Sequence, residues 1–291
     1  MGILKRAIAK DASVVACAVD GTDLVSEIEQ IHRTSTVVTA AVGRLAIAAG
    51  MIGYGLKGKQ DSVTLRIKGG GLVGQLIAVA DSHGNVKADV EQPVVELPLN
   101  AKGKLDVSGA VGTNGTLSVV KDLGLKEPYV GVVPLVSGEI AEDITQYFAD
   151  SEQTPTACGL GVLVNPDLTV KVAGGYLIQV LPFASDTVID TLEKNLTELP
   201  PMTTMMTNCM QMEQIALRLL KGLEPNLLDE GYLQYHCDCS RERTKRVLMA
   251  LGKKELTDLA NEVHPVEICC HFCGKKYLFS AREILKLAES C

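Results

Sequence analysis

The chain has 291 residues, of which 46% are hydrophobic, and a formal net charge of −7 at pH 7. This length accommodates two domains, and the hydrophobic content can fill one sizeable core. Because phosphate binding needs a basic surface, the acidic balance argues against nucleic acid as the main partner. Residues 231–291, however, contain 10 Lys and Arg residues and 8 Asp and Glu residues, so this segment carries a formal charge of +2.

The first residues predict two strands and an amphipathic helix, without the pattern of an export signal. Strand-forming residues flank a turn at residues 11–13, and Leu24, Ile28 and Ile31 follow at helical spacing. We therefore expect a cytoplasmic protein. Nine cysteines in such a chain indicate reduced thiols or a metal site, not a disulfide framework.

Residues 36–56 are almost wholly apolar or small and approach the length that spans a membrane. Arg44 lies at the centre of this segment, and a charge at the middle of a bilayer is costly. Four glycines also lower its hydrophobicity. We therefore predict a buried core helix and no membrane association.

Strand-like runs separated by turns continue to residue 181, with one amphipathic helix predicted over residues 139–150. The predicted strands cover residues 63–67, 72–81, 86–91, 105–111, 116–121, 128–136, 157–164 and 168–181. Mostly antiparallel strands with packed helices are typical of the α+β class. The sequence therefore predicts an α+β core domain over residues 1–183.

Gly69 to Gly74 match the glycine fingerprint of dinucleotide-binding proteins. That function requires a helix to begin at the glycines, because amide groups at its N-terminus hold the pyrophosphate. Residues 75–80 are strand-like, so we predict a hairpin turn instead. The sequence contains no Walker-type Gly-Lys-Ser/Thr loop and no hydrolase-like arrangement of its histidines. We expect neither ATP use nor enzymatic activity.

Residues 184–230 are predicted to form a helical, methionine-rich linker. Five of the eight methionines lie within eleven residues, at positions 202, 205, 206, 210 and 212. Methionine is flexible and polarizable and suits surfaces that must accept many apolar shapes. Ordinary packing between helices explains the same spacing, so the sequence leaves open whether residues 202–212 are exposed.

Four cysteines dominate the C-terminal segment, residues 231–291, in two pairs: Cys237 with Cys239, and Cys270 with Cys273. Two thiolate pairs with spacers of one and two residues form the four-sulfur tetrahedral set that zinc prefers. Gly274 allows a tight turn that directs amide groups at sulfur. A closed cage leaves no position for a catalytic water, so one zinc per chain would be structural or a redox switch.

The same segment is predicted to hold short strands at 266–268 and 276–279, a helix after Ser240, and a helix after a Ser280–Glu283 capping box. Zinc contributes roughly 10–16 kcal/mol to small zinc modules. The core of a module of about sixty residues is worth only about 3–5 kcal/mol. We therefore expect the module to unfold when the metal is lost.

The remaining cysteines have different expected roles. Cys269 directly precedes Cys270 and could replace a neighbour as ligand or disulfide partner, while Cys291 is a further thiol near the site. Three others lie in apolar contexts and are expected to be buried and unreactive: Cys17, Cys158 and Cys209. Two histidines adjoin the paired cysteines and are expected to lie outside the ligand set: His236 and His271.

Together these features resemble the redox-regulated holdase chaperones of bacteria, the 33-kilodalton heat-shock chaperonins. The resemblance covers essentially the whole chain and rests on the two cysteine pairs, the glycines at 69–74 and the Arg33-Thr34-Ser35 stretch before the apolar helix.

Membership of that family implies that the four paired cysteines bind zinc when reduced. Under oxidants, Cys237 would pair with Cys239 and Cys270 with Cys273, and the zinc would leave. The C-terminal module and the adjoining linker would then unfold, and the protein would dimerise. It would hold unfolding client proteins without ATP.

Two other functions stay open. A zinc-ribbon nucleic-acid-binding protein is suggested by a run of basic residues: Arg241, Arg243, Lys245, Arg246, Lys253 and Lys254. A thiol-disulfide oxidoreductase could use Cys270 and Cys273, although a redox Cys-x-x-Cys normally opens a helix.

Overall fold

The computed structural model describes residues 2–262 and 265–290. These residues form two compact units, one ending at His236 and one beginning at Cys237. The strands are β1 (Gly2–Ile8), β2 (Val14–Asp20), β3 (Ser62–Lys68), β4 (Gln75–Asp81), β5 (Asn85–Val90), β6 (Thr116–Asp122), β7 (Tyr129–Pro134), β8 (Thr156–Val164), β9 (Val170–Val180), β10 (Asn226–Tyr235), β11 (Val266–Cys269) and β12 (Lys276–Phe279). The helices are α1 (Thr22–His32), α2 (Thr36–Tyr54), α3 (Val107–Val111), α4 (Ala141–Ser151), α5 (Asp186–Thr197), α6 (Met202–Thr207), α7 (Met212–Leu219), α8 (Arg241–Met249), α9 (Lys253–Glu262) and α10 (Ala281–Glu289).

The described strands of the first unit form a ten-stranded sheet in the order β7-β6-β3-β4-β5-β10-β1-β2-β9-β8. Neighbouring strands are antiparallel except β5 and β10, which pair in parallel over Gln234–Asn85 and Tyr235–Val86. Strand β10 also pairs with β1, so it joins the two halves of the sheet. This arrangement confirms the predicted α+β class with mostly antiparallel strands.

Helix α2 lies in the main core of the first unit and packs against β2, β3, β4, β5, β8 and β9. It is the helix among the described residues that is long and apolar enough to cross a membrane, and most of it is buried in the protein. Arg44, its one charged residue, donates from Nη1 to the Glu139 carbonyl oxygen at 3.2 Å and forms an ion pair with the Glu139 carboxylate. Because this charge is paired within the protein, the segment is a core helix, as predicted.

The glycines at 69–74 form the turn between β3 and β4. A Cβ at Gly69 would lie 2.2 Å from the Val111 carbonyl oxygen, and a Cβ at Gly71 would lie 2.3 Å from that of Ala110. The glycines therefore allow two backbone segments to approach closely, and the predicted hairpin turn is confirmed.

A second core lies on the face of β1, β2 and β9 that is turned away from α2, where α5, α6 and α7 cover the sheet. Strand β2 is buried on both faces: Ala16 and Ala18 belong to this second core, and Cys17 and Val19 to the main one. An uninterrupted apolar run such as residues 14–19 is typical of a strand covered on both sides.

Two elements differ from their predictions. Residues 105–111, predicted as a strand, contain helix α3, because the Asp106 side chain accepts a hydrogen bond from the Gly109 amide and caps the helix. Residues 226–230, predicted as part of a helical linker, begin strand β10, which continues through residues 231–235. That strand pairs with β1, so these last residues lie in the first compact unit and not with the cysteines.

The second unit has a small core of its own. Strands β11 and β12 form an antiparallel hairpin, and α8, α9 and α10 pack together. The capping box is present as predicted: Ser280 accepts from the Glu283 amide, and the Glu283 carboxylate accepts from the Ser280 amide at 2.9 Å. The buried residues of this core are Leu248, Leu256, Ala260, Val266, Tyr277, Phe279, Ile284 and Ala288.

Candidate metal centre

The two cysteine pairs come together in the second unit. Cys237 and Cys239 lie in the segment before α8, and Cys270 and Cys273 lie on the turn between β11 and β12. Their four Sγ atoms are all within 4.8 Å of one another, and all four side chains are half-buried. The hairpin and the segment before α8 thus place four thiols around one point.

The spacing of the sulfur atoms suits a tetrahedral metal. Cys237 Sγ lies 3.6 Å from Cys270 Sγ, and Cys239 Sγ lies 3.4 Å from Cys273 Sγ. A zinc ion with Zn–S bonds of about 2.3 Å separates its sulfur ligands by about 3.8 Å in a tetrahedron. The donor set and its dimensions therefore fit zinc.

A tight turn positions Cys270 and Cys273. Gly274 has φ +68°, its amide donates to the Cys270 carbonyl oxygen at 2.8 Å, and the Cys270 amide donates to Lys275 O at 2.9 Å. The Lys275 amide donates a hydrogen bond to the Cys273 sulfur, and the Cys239 amide donates one to the Cys237 sulfur. The turn therefore directs amide groups at sulfur, as the sequence predicted. Gly274 contributes by allowing the backbone to turn, because its own amide donates to the Cys270 carbonyl oxygen and not to a sulfur atom.

The pKa values of Cys237, Cys239 and Cys273 are shifted in different directions. Burial raises the pKa of Cys237 and is also the main cause of the raised pKa of Cys273. Burial acts in the same direction on Cys239, but hydrogen bonds from the Tyr277 hydroxyl and the neighbouring thiols outweigh it and lower its pKa. The Tyr277 Oη atom lies 3.1 Å from Cys239 Sγ. The Tyr277 hydroxyl therefore helps to stabilise a thiolate at Cys239.

Basic residues around the site are partly occupied by ion pairs. Arg241 donates to the Glu283 carboxylate at 2.6 Å and stacks over the Phe279 ring at 4.3 Å, and Arg243 pairs with Asp238. These two cations of the basic run contribute to the local structure of the second unit. Two of the six basic residues that suggested a nucleic-acid surface are therefore neutralised by ion pairs within the second unit.

Cys269 lies outside the four-sulfur group. Its side chain is exposed, and its Sγ lies 3.4 Å from the Gly274 carbonyl oxygen. His271 and His236 are also exposed, and the His236 amide donates to the Val86 carbonyl oxygen in the first unit. Among the described residues, neither histidine joins the group of thiols.

The other cysteines fall into two groups. Burial raises the pKa of Cys17 and Cys158 to about 12, so both thiols stay protonated at neutral pH, as expected of unreactive cysteines. Cys17 is buried as predicted, whereas the Cys158 side chain is half-buried. The prediction that Cys209 is buried is wrong: its side chain is exposed on the turn after α6, where the backbone has φ +58°. Cys291 lies outside the described residues.

Comparisons with known proteins agree with these features. The family model described as Hsp33 protein matches residues 3–280. The proteins named 33 kDa chaperonin from Acetivibrio thermocellus and Bacillus velezensis are 46% and 44% identical, over 98% and 99% of this chain and 96% and 99% of their own lengths. The crystal structure of the 33 kDa chaperonin from Thermotoga maritima is 37% identical, with a TM-score of 0.90 over 99% of this chain and 98% of that chain. The chain therefore belongs to the Hsp33 family of chaperones.

Proposed function

We propose that this protein is a cytoplasmic, ATP-independent holdase that oxidation switches on. The observation that carries the proposal is the group of four half-buried thiols within 4.8 Å in a unit with a small core. Under this proposal the protein is not an enzyme, and its partners are unfolding client proteins and, on activation, a second copy of itself.

In the reduced state, Cys237, Cys239, Cys270 and Cys273 would hold one zinc ion as thiolates. Bound zinc would supply roughly 10–16 kcal/mol to the folding of the second unit. The core of the second unit is lined by only eight side chains, and the net stability of such a small core, after the entropy of ordering the chain, is only about 3–5 kcal/mol. Folding of the second unit then depends on the redox state of four sulfur atoms.

Oxidation converts the thiolates to disulfides. Each pair gives two electrons to one hydrogen peroxide molecule, which takes up two protons and leaves as two water molecules while the S–S bond forms. Two peroxides thus produce the proposed Cys237–Cys239 and Cys270–Cys273 disulfides, and no thiolate is left to bind a metal. The second unit loses its main source of stability and unfolds.

The linker helices supply a concealed apolar surface. Met202, Met205 and Met212 are buried in the second core, where α5, α6 and α7 cover β1, β2 and β9. From α7 the chain continues through β10 directly into Cys237. Unfolding of the second unit would remove a folded segment from the end of β10, and we propose that α5–α7 then detach and expose this surface to clients.

Oxidant treatment of the purified protein tests the proposal. Peroxide with mild heating is expected to release one zinc per chain, form the two named disulfides and start suppression of client aggregation in the absence of ATP. Zinc release is followed with a chromogenic chelator, the disulfides by peptide mass spectrometry, and oligomeric state by sedimentation. Suppression of aggregation that is equal before and after oxidation would contradict the switch.

A further inference from the structure

A cleft of about 300 Å³ opens beside α6 and α7 in the first unit. Four of its lining residues carry sulfur: Met206, Cys209, Met210 and Met212. Met206 and Met210 are half-buried, whereas Met202 and Met205 are 3% and 1% exposed and do not line the cleft. Solvent therefore reaches the thioethers of Met206 and Met210 but not those of Met202 and Met205.

The accessible thioethers take part in packing. Met206 and Met210 both pack against the second core. A Cβ built on Gly174 of β9 would lie 2.6 Å from Met206 Sδ and 2.9 Å from Met202 Cε. The Met206 sulfur thus fills the space above a strand glycine, where α6 meets the sheet.

We propose that Met206 and Met210 are sites of reversible oxidation to methionine sulfoxide, and that this modification loosens α6 and α7 from the sheet independently of the four cysteines. It is a second oxidant-sensitive element, located in the linker itself. The inference rests on the proposed function only in that the surface uncovered by loosening would be the client-binding one.

The chemistry needs a two-electron oxidant that transfers oxygen, such as hypochlorous acid. The thioether sulfur gives two electrons and gains the oxygen atom, the O–Cl bond breaks, chloride leaves, and the proton of the acid is released. The cleft gives such a small oxidant access to Met206 and Met210. Sulfoxide reductases reverse the reaction.

Methionine sulfoxide is unfavourable in the apolar contact that Met206 makes with the sheet. A sulfoxide replaces a polarizable apolar group with a strong dipole and an additional oxygen atom. At Met206 the sulfur already lies against Gly174, so the group must move out of this contact or leave the oxygen without a hydrogen-bond partner. Both outcomes favour the detached state of α6.

Oxidation of the full-length, zinc-loaded chain with limiting hypochlorous acid tests the order of modification. Peptide mass spectrometry should find sulfoxide at Met206 and Met210 before Met202, Met205 and the core residue Met51, which is 3% exposed. Sulfoxide that appears at the buried positions as early as at the cleft would overturn the assignment.

Two double variants test the consequence. The variant Met206→Gln with Met210→Gln imitates the sulfoxide, and its α6–α7 amides should exchange with solvent about tenfold faster or more than wild type, without oxidant and with zinc content unchanged. The variant Met206→Leu with Met210→Leu keeps apolar volume but cannot be oxidised. At doses of hypochlorous acid that leave the zinc bound, its α6–α7 exchange should no longer respond, while peroxide still releases zinc as in wild type.

Met249→Leu is the matched control, because Met249 is also half-buried but lies in the second unit. This variant should respond to hypochlorous acid in α6–α7 as wild type does. Equal responses of wild type and the leucine double variant would overturn the inference and leave the cysteine switch untouched. Failure of peroxide to start client binding in wild type would instead count against the proposed function. If the glutamine variant does not fold, the leucine variant and the order of sulfoxide formation still decide.

Discussion

The hydroxyl of Tyr277 donates a hydrogen bond to the Cys239 sulfur at 3.1 Å, and the ring packs in the core of the second unit. Substitution Tyr277→Phe keeps the ring but removes this donor. Because partners of metal ligands typically tune affinity, we expect zinc affinity at pH 7 to fall by about tenfold to a hundredfold. Competition with a chromogenic chelator measures the change.

The matched control is Tyr232→Phe, since Tyr232 hydroxyl bonds the Glu230 carboxylate in the first unit. This variant should keep the zinc affinity of wild type. An unchanged affinity for Tyr277→Phe would show that the hydrogen bond does not assist metal binding.

Substitutions of Cys269 and Cys273 are expected to have opposite effects on zinc content. Cys269→Ser should retain one zinc per chain, because the Cys269 thiol is exposed and lies outside the four-sulfur group. Cys273→Ser removes one of the four donors and should lose most of the bound zinc at equal protein concentration. Native mass spectrometry of the reduced proteins gives the stoichiometry directly. Loss of zinc from Cys269→Ser would assign Cys269 to the ligand set.

At the scale of elements, α6 is held to the sheet by buried methionines. Met205 is 1% exposed, and Met205→Ala should destabilise its packing by about 2–5 kcal/mol. We expect the reduced, zinc-loaded variant to bind a fluorescent apolar dye and to suppress client aggregation in part, without oxidant.

The control is Thr204→Ala, since Thr204 lies on the exposed side of the same helix. This variant should leave dye binding at the wild-type level. If Met205→Ala lowers stability without raising dye binding, then α6 does not conceal the apolar surface that we propose.

The predictable elements are those whose pattern depends on nearby residues. The cysteine spacing indicated the thiol cluster, and the apolar run around Arg44 indicated α2, because each signal is local and strong. Strand β10 was missed because Asp229, Glu230 and Gly231 weaken its apolar pattern, and its register is fixed by β1, more than two hundred residues earlier. Cys209 is exposed because its backbone adopts a left-handed conformation in the turn between α6 and α7, and the amino-acid types at this position do not predict that conformation.

At the scale of the whole molecule, the chain divides into a large unit with an extensive core and a small unit with a limited one. Removal of zinc by a chelator under reducing conditions should therefore affect them unequally. Residues 237–262 and 265–290 should lose protection from hydrogen exchange, because the thiolates lose the ion that joins them. Amides of α2 should keep theirs, since its buried side chains pack against six strands of the sheet.

Hydrogen exchange followed by mass spectrometry resolves the two units in one experiment. Readdition of zinc should restore protection in the second unit, which separates metal loss from irreversible damage. Protection of α5–α7 in the same sample then reports whether loss of the second unit alone loosens the linker. Unchanged exchange after residue 237 would mean that the small core suffices to keep the unit folded, and loss of protection in α2 would mean that the two units do not unfold separately.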